Sequence, residues 1–302
     1  MAINWYPGHM HKASKEMKKI IPQVDLIIEV LDARIPFSSE NPMLAKIRGD
    51  KPCIKVLTKS DLADPVATNT WQTYLEQEKR VKTIAVTMQQ AAQIRDLLAL
   101  CHKMLPTKSA GVKNIQAMIM GIPNVGKSTL INHLAGRQIA KTGNEPAVTK
   151  MQQRIKLEQG IVLHDTPGVL WPKLENEHGA YRLAITGAIK ETAISNDDIA
   201  LYAVAYLRDY YPNVLINRYR LDQLASDDVA LLESIGAKRG CLRAGGMIDL
   251  ERAAKILLTD FRSGGLGQIT LESPAMMEAE LVAMDKTRQQ KAAKQTAKKQ
   301  KR

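Results

Sequence analysis

Eight residues constrain this chain most: Gly121-Ile122-Pro123-Asn124-Val125-Gly126-Lys127-Ser128. They follow an apolar run from Asn114 to Met120 and open a stretch of helix formers that reaches about Leu134. Gly-x4-Gly-Lys-Ser between a strand and a helix is a phosphate-binding loop. Its glycines let backbone N–H groups wrap an oligophosphate, and the helix N-terminus adds the positive end of its dipole. A loop of this kind needs a buried strand behind it, which points to an α/β sheet.

The residues upstream agree. Asp25 to Leu31, Cys53 to Leu57 and Thr83 to Val86 are short apolar runs that suit buried strands. Between them, Asn41-Pro42 starts a helix to about Arg48 and Asp64-Pro65 another to about Glu78. A third helix is predicted from Gln90 to Met104, and the polar stretch 105–113 reads as a linker. Beyond the loop, a polar segment from Gly136 to Thr149 precedes two more strands, Arg154 to Leu157 and Ile161 to His164. After about Tyr181 the strand signal ends. Helices are expected at Ile199–Asp209, at Asp227–Ile235 with Ser226 as its cap, and at Ile248–Phe261, closed by Ser263-Gly264-Gly265. The expected organisation is a doubly wound, mostly parallel α/β domain at 1–180, a small all-α domain at 181–285 and a basic disordered tail at 286–302.

The chemistry of the loop assigns candidate roles. Asn124, Val125, Gly126, Ser128 and Thr129 are placed to cradle phosphates, with Lys127 bridging the β- and γ-phosphates and the Ser128 hydroxyl offered to Mg²⁺. Asp165-Thr166-Pro167-Gly168 ends the last strand. Asp165 is placed to hold Mg²⁺ through water, Gly168 to contact the γ-phosphate, and Thr149 to complete the metal shell. The base is read elsewhere. Thr58-Lys59-Ser60-Asp61 follows the second strand. A carboxylate at Asp61 can accept from both N1 and N2 of guanine, a pair that adenine lacks, while Lys59 lies over the ring. Thr87, after the third strand, is a candidate for the last base-contacting element. These residues point to GTP; a P-loop ATPase or nucleotide kinase is the competing reading.

The elements come in an unusual order, with the base reader before the P-loop. The sequence therefore reads as a circular permutation, joined through 105–113. With Trp5-Tyr6-Pro7-Gly8-His9-Met10, Asp32-Ala33-Arg34-Ile35-Pro36, Pro123-Asn124, Val148-Thr149-Lys150 and Asp165-Thr166-Pro167-Gly168 in place, the chain resembles the circularly permuted GTPases, most closely the ribosome biogenesis GTPase A family. The likeness runs to about residue 170 and returns in the region from Gly245 to Thr270. It implies GTP hydrolysis during late assembly of the large (50S) subunit of the bacterial ribosome. It also implies rRNA binding by the helical domain and stimulation by the ribosomal particle.

The resemblance implies catalysis by His9; from its chemistry alone, a histidine that merely packs or caps remains the alternative. Catalytic help is needed because the residue after Gly168, where many GTPases orient water with glutamine, is Val169. In related GTPases an asparagine at the place of Asn124 binds K⁺. The family's base motif usually begins with asparagine, where this chain has Thr58.

The formal net charge is +12, and eight Lys or Arg with no acid lie in 286–302, so removing those eight leaves +4. This basic end suits a polyanion, RNA above all, although a solvated tail is the plain alternative. Three scattered cysteines, Cys53, Cys101 and Cys241, favour neither a disulfide framework nor a zinc site. No apolar run approaches a membrane span, and a monomer in the cytoplasm is expected. The rival functional class is an RNA-binding assembly factor whose nucleotide is mainly structural.

Overall fold

A computed structural model describes residues 8–109, 114–140, 153–172, 174–189 and 194–300, with backbone alone at 8, 9, 91, 109 and 291–300. The strands are β1 (Leu26–Asp32), β2 (Cys53–Thr58), β3 (Val81–Ala85), β4 (Ile115–Met120), β5 (Gln153–Lys156) and β6 (Ile161–Asp165). They form one sheet in the order β3-β2-β1-β4-β6-β5, parallel except for the edge pairing of β5 with β6. β1 and β2 are buried along their whole length, as expected for strands covered on both faces.

The helices that cover and extend the sheet are α1 (Gly8–Ile20), α2 (Pro42–Arg48), α3 (Pro65–Leu75), α4 (Ala91–Met104), α5 (Pro106–Ser109) and α6 (Lys127–Ala135). Then follow α7 (Glu177–Ile185), α8 (Asn196–Tyr210), α9 (Pro212–Tyr219), α10 (Asp228–Lys238), α11 (Leu250–Ser263) and α12 (Pro274–Gln300). Several starts obey simple rules. Asn41 and Asp64 accept from backbone N–H groups at the heads of α2 and α3, each followed by proline in the first turn. α7, α8, α10 and α11 pack together as the helical unit, and α7 crosses the boundary expected at 180.

The structure departs from expectation at several points. α1, α7, α9 and α12 were not anticipated. α3 ends at Leu75 rather than near Glu78. The cap of α10 is Asp227, whose carboxylate accepts from Ala230 N, not Ser226. Residues 286–300, expected as a disordered tail, continue α12. Its sequence is made of strong helix formers with no glycine or proline after Pro274, which outweighs the charge. The expected linker contains the turn of α5, and its residues 110–113 lie outside the described residues, as do 141–149 of the polar segment.

α1 is held by Met10, Ala13 and Met17, all buried at helical spacing. After α11 the chain returns to the sheet. Leu271 N donates to Arg34 O at 2.8 Å, and Trp71 Nε1 donates to Glu272 O at 3.0 Å. The buried Glu272 carboxylate accepts from Ser38 N at 2.9 Å and Ser38 Oγ at 2.6 Å and lies 3.5 Å from Arg182. The helical unit is thereby tied to the segment after β1.

Candidate nucleotide site

Doubly wound sheets bind ligands at the carboxyl ends of strands where the winding reverses. Here the chain winds one way from β1 to β2 and β3, and the other way from β4 to β6. β1 and β4 flank the switch point. The candidate residues gather on that edge: Asp32 ends β1, Thr58 ends β2, the P-loop leaves β4, and Asp165 ends β6.

Lys127 starts α6 and is buried. Its ammonium donates to Gly121 O at 3.1 Å and Ile122 O at 2.6 Å. Burial pulls the Lys127 ammonium down to about 8, against the attraction of Asp165. Burial likewise pushes the Asp165 carboxyl up to about 6, against Lys127 and the Thr166 N–H. Asp165 Oδ2 is buried with no hydrogen-bond partner among the described residues. An orphaned buried carboxylate oxygen beside the first turn of α6 is the donor chemistry a hard divalent cation takes, so these residues fit Mg²⁺. Ser128 and Thr129 are half-buried on that turn. Gly168 admits no side chain: a Cβ there would lie 2.9 Å from Pro123 N and 3.0 Å from Lys127 Nζ. Val169 is fully buried, its N–H donates to Gly121 O at 3.3 Å, and its carbonyl accepts from Asn41 Nδ2 at 2.6 Å.

The candidate base-reading loop, which begins at Thr58, abuts the P-loop. Thr58 Oγ1 lies 2.9 Å from Leu31 O and 2.6 Å from Val125 O, so its single proton is shared between two carbonyls. Lys59 Nζ donates to Asn124 O and to Asp32 Oδ2, both at 2.8 Å. The Asp61 side chain is exposed. Ser60 N donates to Val86 O at 3.3 Å, which sets the loop beside the one that carries Thr87. Thr87 N donates to Gln93 Oε1 at 3.0 Å. Asn124 has a left-handed backbone, φ 61°, and its side-chain N–H donates to Gly187 O at 2.7 Å.

Two of the predicted residues cannot be placed by side chain. Thr149 lies outside the described residues, and His9 is described by its backbone alone, in the first turn of α1. Ser14 of that helix donates to Met43 Sδ of α2 at 3.6 Å, and the Asn41 cap of α2 holds Val169.

Sequence reasoning gave Asp32 and Arg34 no chemical role. Arg34 Nε and its terminal nitrogen donate to the two Asp32 oxygens at 2.9 and 2.7 Å, and the guanidinium lies 5.1 Å from the Phe261 ring centroid of α11. Burial raises the Asp32 carboxyl, but Arg34 and Lys59 outweigh it and hold it well below the usual carboxylate range. The signal was a lone carboxylate ending an apolar strand, two residues before an arginine.

Among the described residues no His, Cys, Asp or Glu cluster forms a separate metal site. Cys53, Cys101 and Cys241 are free and buried. No helix among the described residues is long and apolar enough to cross a membrane.

Comparison with known proteins agrees with this geometry. The family described as 50S ribosome-binding GTPase matches residues 116–227, which begin in β4, so the base reader precedes the match. Ribosome biogenesis GTPase A of Priestia megaterium is 43% identical over 289 residues, covering 93% of this chain and all of the relative. Mitochondrial ribosome-associated GTPase 1 of Mus musculus is 31% identical over 291 residues, 89% of each chain. The solved structure of GNP-bound YlqF from T. maritima superposes with a TM-score of 0.61 at 27% identity, covering 87% of this chain and 98% of that one. A GDP-bound YlqF structure gives 0.62, also at 27% identity, covering 86% of this chain and 99% of that one. With a P-loop at the switch point, a candidate base reader that precedes it in sequence and full-length relatives at this identity, the chain belongs to the ribosome biogenesis GTPase A family of circularly permuted GTPases.

Proposed function

We propose that this GTPase acts in the late maturation of the large (50S) ribosomal subunit, binding rRNA through its helical unit and the basic end of α12. One observation carries the reading: the P-loop and the base-reading loop are each bonded to a segment that directly continues a helix of the helical unit, α7 in one case and α11 in the other. Asn124 donates to Gly187 O, and Ile269 N donates to Leu62 O at 2.9 Å. A nucleotide-dependent surface therefore has a physical link to its switch. The division into a GTPase domain at 1–180, a helical RNA-binding domain at 181–285 and a basic end at 286–302 belongs to this reading. So do a monomeric state and a cytoplasmic location.

In this reading Asn124, Val125, Gly126, Lys127, Ser128, Thr129 and Gly168 bind the phosphates, and Thr58, Lys59, Asp61 and Thr87 select guanine. Ser128, Thr149 and Asp165 would hold Mg²⁺, and the Asn124 side-chain oxygen would take K⁺. Bound cations supply charge compensation at the phosphates as the γ-phosphoryl group leaves. Lys127 binds and orients the β- and γ-phosphates. The buried Val169 side chain cannot orient water, so a neutral His9 imidazole would align the attacking water.

The test is co-sedimentation with ribosomal particles. With a non-hydrolysable GTP analogue the protein should travel with a large-subunit precursor and leave it with GDP; equal binding in both states would sink the reading. His9→Ala should keep GTP affinity and lose particle-stimulated turnover. A faster turnover in KCl than in NaCl would support Asn124 as a potassium ligand.

A further inference from the structure

The base-reading loop is held from an unexpected side. Between α11 and α12 the chain turns through Gly264 and Gly267 and then passes, over 268–271, beside the segments that follow β1 and β2. It meets the reader at successive positions. Ile269 N donates to Leu62 O at 2.9 Å, and Gln268 Nε2 donates to Asp61 O at 3.4 Å. Asp64 N donates to Thr270 Oγ1 at 3.1 Å, and Tyr211 OH lies 3.2 Å from both Asp64 Oδ2 and Thr270 O. Leu271 N then bonds Arg34 O at 2.8 Å. At the α11 end the approach is so close that a Cβ on Gly264 would lie 2.6 Å from Leu62 Cδ2.

The reader needs such support. Lys59 has φ 57°, a left-handed conformation that is unfavourable for an L-residue and persists only where surroundings enforce it. Its own bonds to Asp32 and Asn124 fix one end of the loop. On the outer side Ser60 bonds Val86 O. Residues 61, 62 and 64, which carry and follow the guanine-reading carboxylate, are bonded to the strap.

We propose that 264–271 is a positioning strap for the base-reading loop, with Thr270 and Gln268 as its positioning residues, so that guanine affinity depends on where α11 sits. The strap is the direct continuation of α11, which packs on α8 and α10. A polyanion or protein that displaces the helical unit alters base binding through it, and guanine nucleotide alters the affinity of that partner by the same factor. The inference rests on the assignment of Asp61 as base reader.

Thr270→Val preserves shape and removes the hydroxyl that accepts from Asp64 N; Gln268→Ala removes an exposed contact and is the milder change. The full chain of each variant, with Tm as a check on folding, is titrated with GDP and with IDP, which lacks the 2-amino group. Thr270→Val should weaken GDP about threefold to tenfold, weaken IDP less, and raise the KM for GTP by the GDP factor with kcat within about twofold. Gln268→Ala should move the same way by a smaller factor. Folded variants that keep the wild-type GDP affinity, or that lose GDP and IDP equally, overturn the strap. Asp61→Asn separates the two ideas. If it keeps the wild-type preference for GDP over IDP, Asp61 is not the reader. If it loses that preference while the strap variants keep theirs, the strap alone fails.

Discussion

The hydroxyl of Thr58 stands 2.6 Å from the carbonyl oxygen of Val125, so the residue that opens the base-reading loop is bonded to the P-loop backbone. A short hydroxyl side chain makes the bridge. Thr58 is fully buried, and its hydroxyl braces the base-reading loop against the P-loop beside any part it plays in selecting guanine. Thr58→Val removes the proton and leaves two buried carbonyls short of a donor, at a cost of roughly 1–3 kcal/mol. GDP affinity should fall about fivefold or more, with a lower Tm in the nucleotide-free protein. Unchanged values in both titration and melting would return Thr58 to a passive role.

Gly168 is a sharper probe of the phosphate site. Even a methyl group there would press on Pro123 N and Lys127 Nζ at about 3 Å, closer than real Cβ contacts run. Lys127 must then move, or the P-loop must. Gly168→Ala should lower GTP affinity about tenfold or more while the sheet core, which it does not touch, keeps its fold. Isothermal titration with a GTP analogue and circular dichroism together read the two effects. Wild-type affinity would mean that the segment after Asp165 does not approach the γ-phosphate.

The buried pair of Asp32 and Arg34 bears on stability as well as on the site. Asp32→Asn strips the guanidinium of its carboxylate and also loosens Lys59, which bridges to the P-loop. Breaking a buried pair at one partner costs roughly 3–5 kcal/mol. Adding Arg34→Met should recover part of that loss, because it removes the stranded charge. Denaturant melts of the single and double variants give the coupling, and strictly additive losses would contradict it.

Much of this was legible in the sequence, for physical reasons. The parallel strands are apolar runs, the starts of α2 and α3 carry Asn41-Pro42 and Asp64-Pro65, and the P-loop announces strand, loop and helix in one motif. The misses have causes too. α12 is built from Ala, Met, Glu, Lys and Gln without a strong apolar stripe, so charge hid its helix propensity. α1 buries Met10, Ala13 and Met17 in the core with Ile20 packed against it, a sparse face on a basic helix. The strap could not be read at all: its bonds join residues some two hundred positions apart, and each uses a backbone group on at least one side, which carries no residue signature.

Glu29 makes a pH-dependent prediction away from the nucleotide. It lies in the middle of β1, wholly buried, with Oε1 lacking a partner among the described residues. Burial, reinforced by Glu40 and Glu78 and opposed by Lys55 and Arg48, pushes its carboxyl from an ordinary 4.5 up to about 8. Between those values the folded chain holds a proton that the unfolded chain has released. Its contribution to stability is therefore present at low pH and is lost as pH rises from about 4.5 through about 8. Glu29→Gln keeps the size and hydrogen-bonding shape of the protonated acid and cannot ionise. The two proteins should melt alike near about pH 5, and by about pH 9 the variant should be the more stable, by several °C in Tm. The check is a series of thermal melts across that range on nucleotide-free protein; parallel curves would show that Glu29 does not titrate in the core.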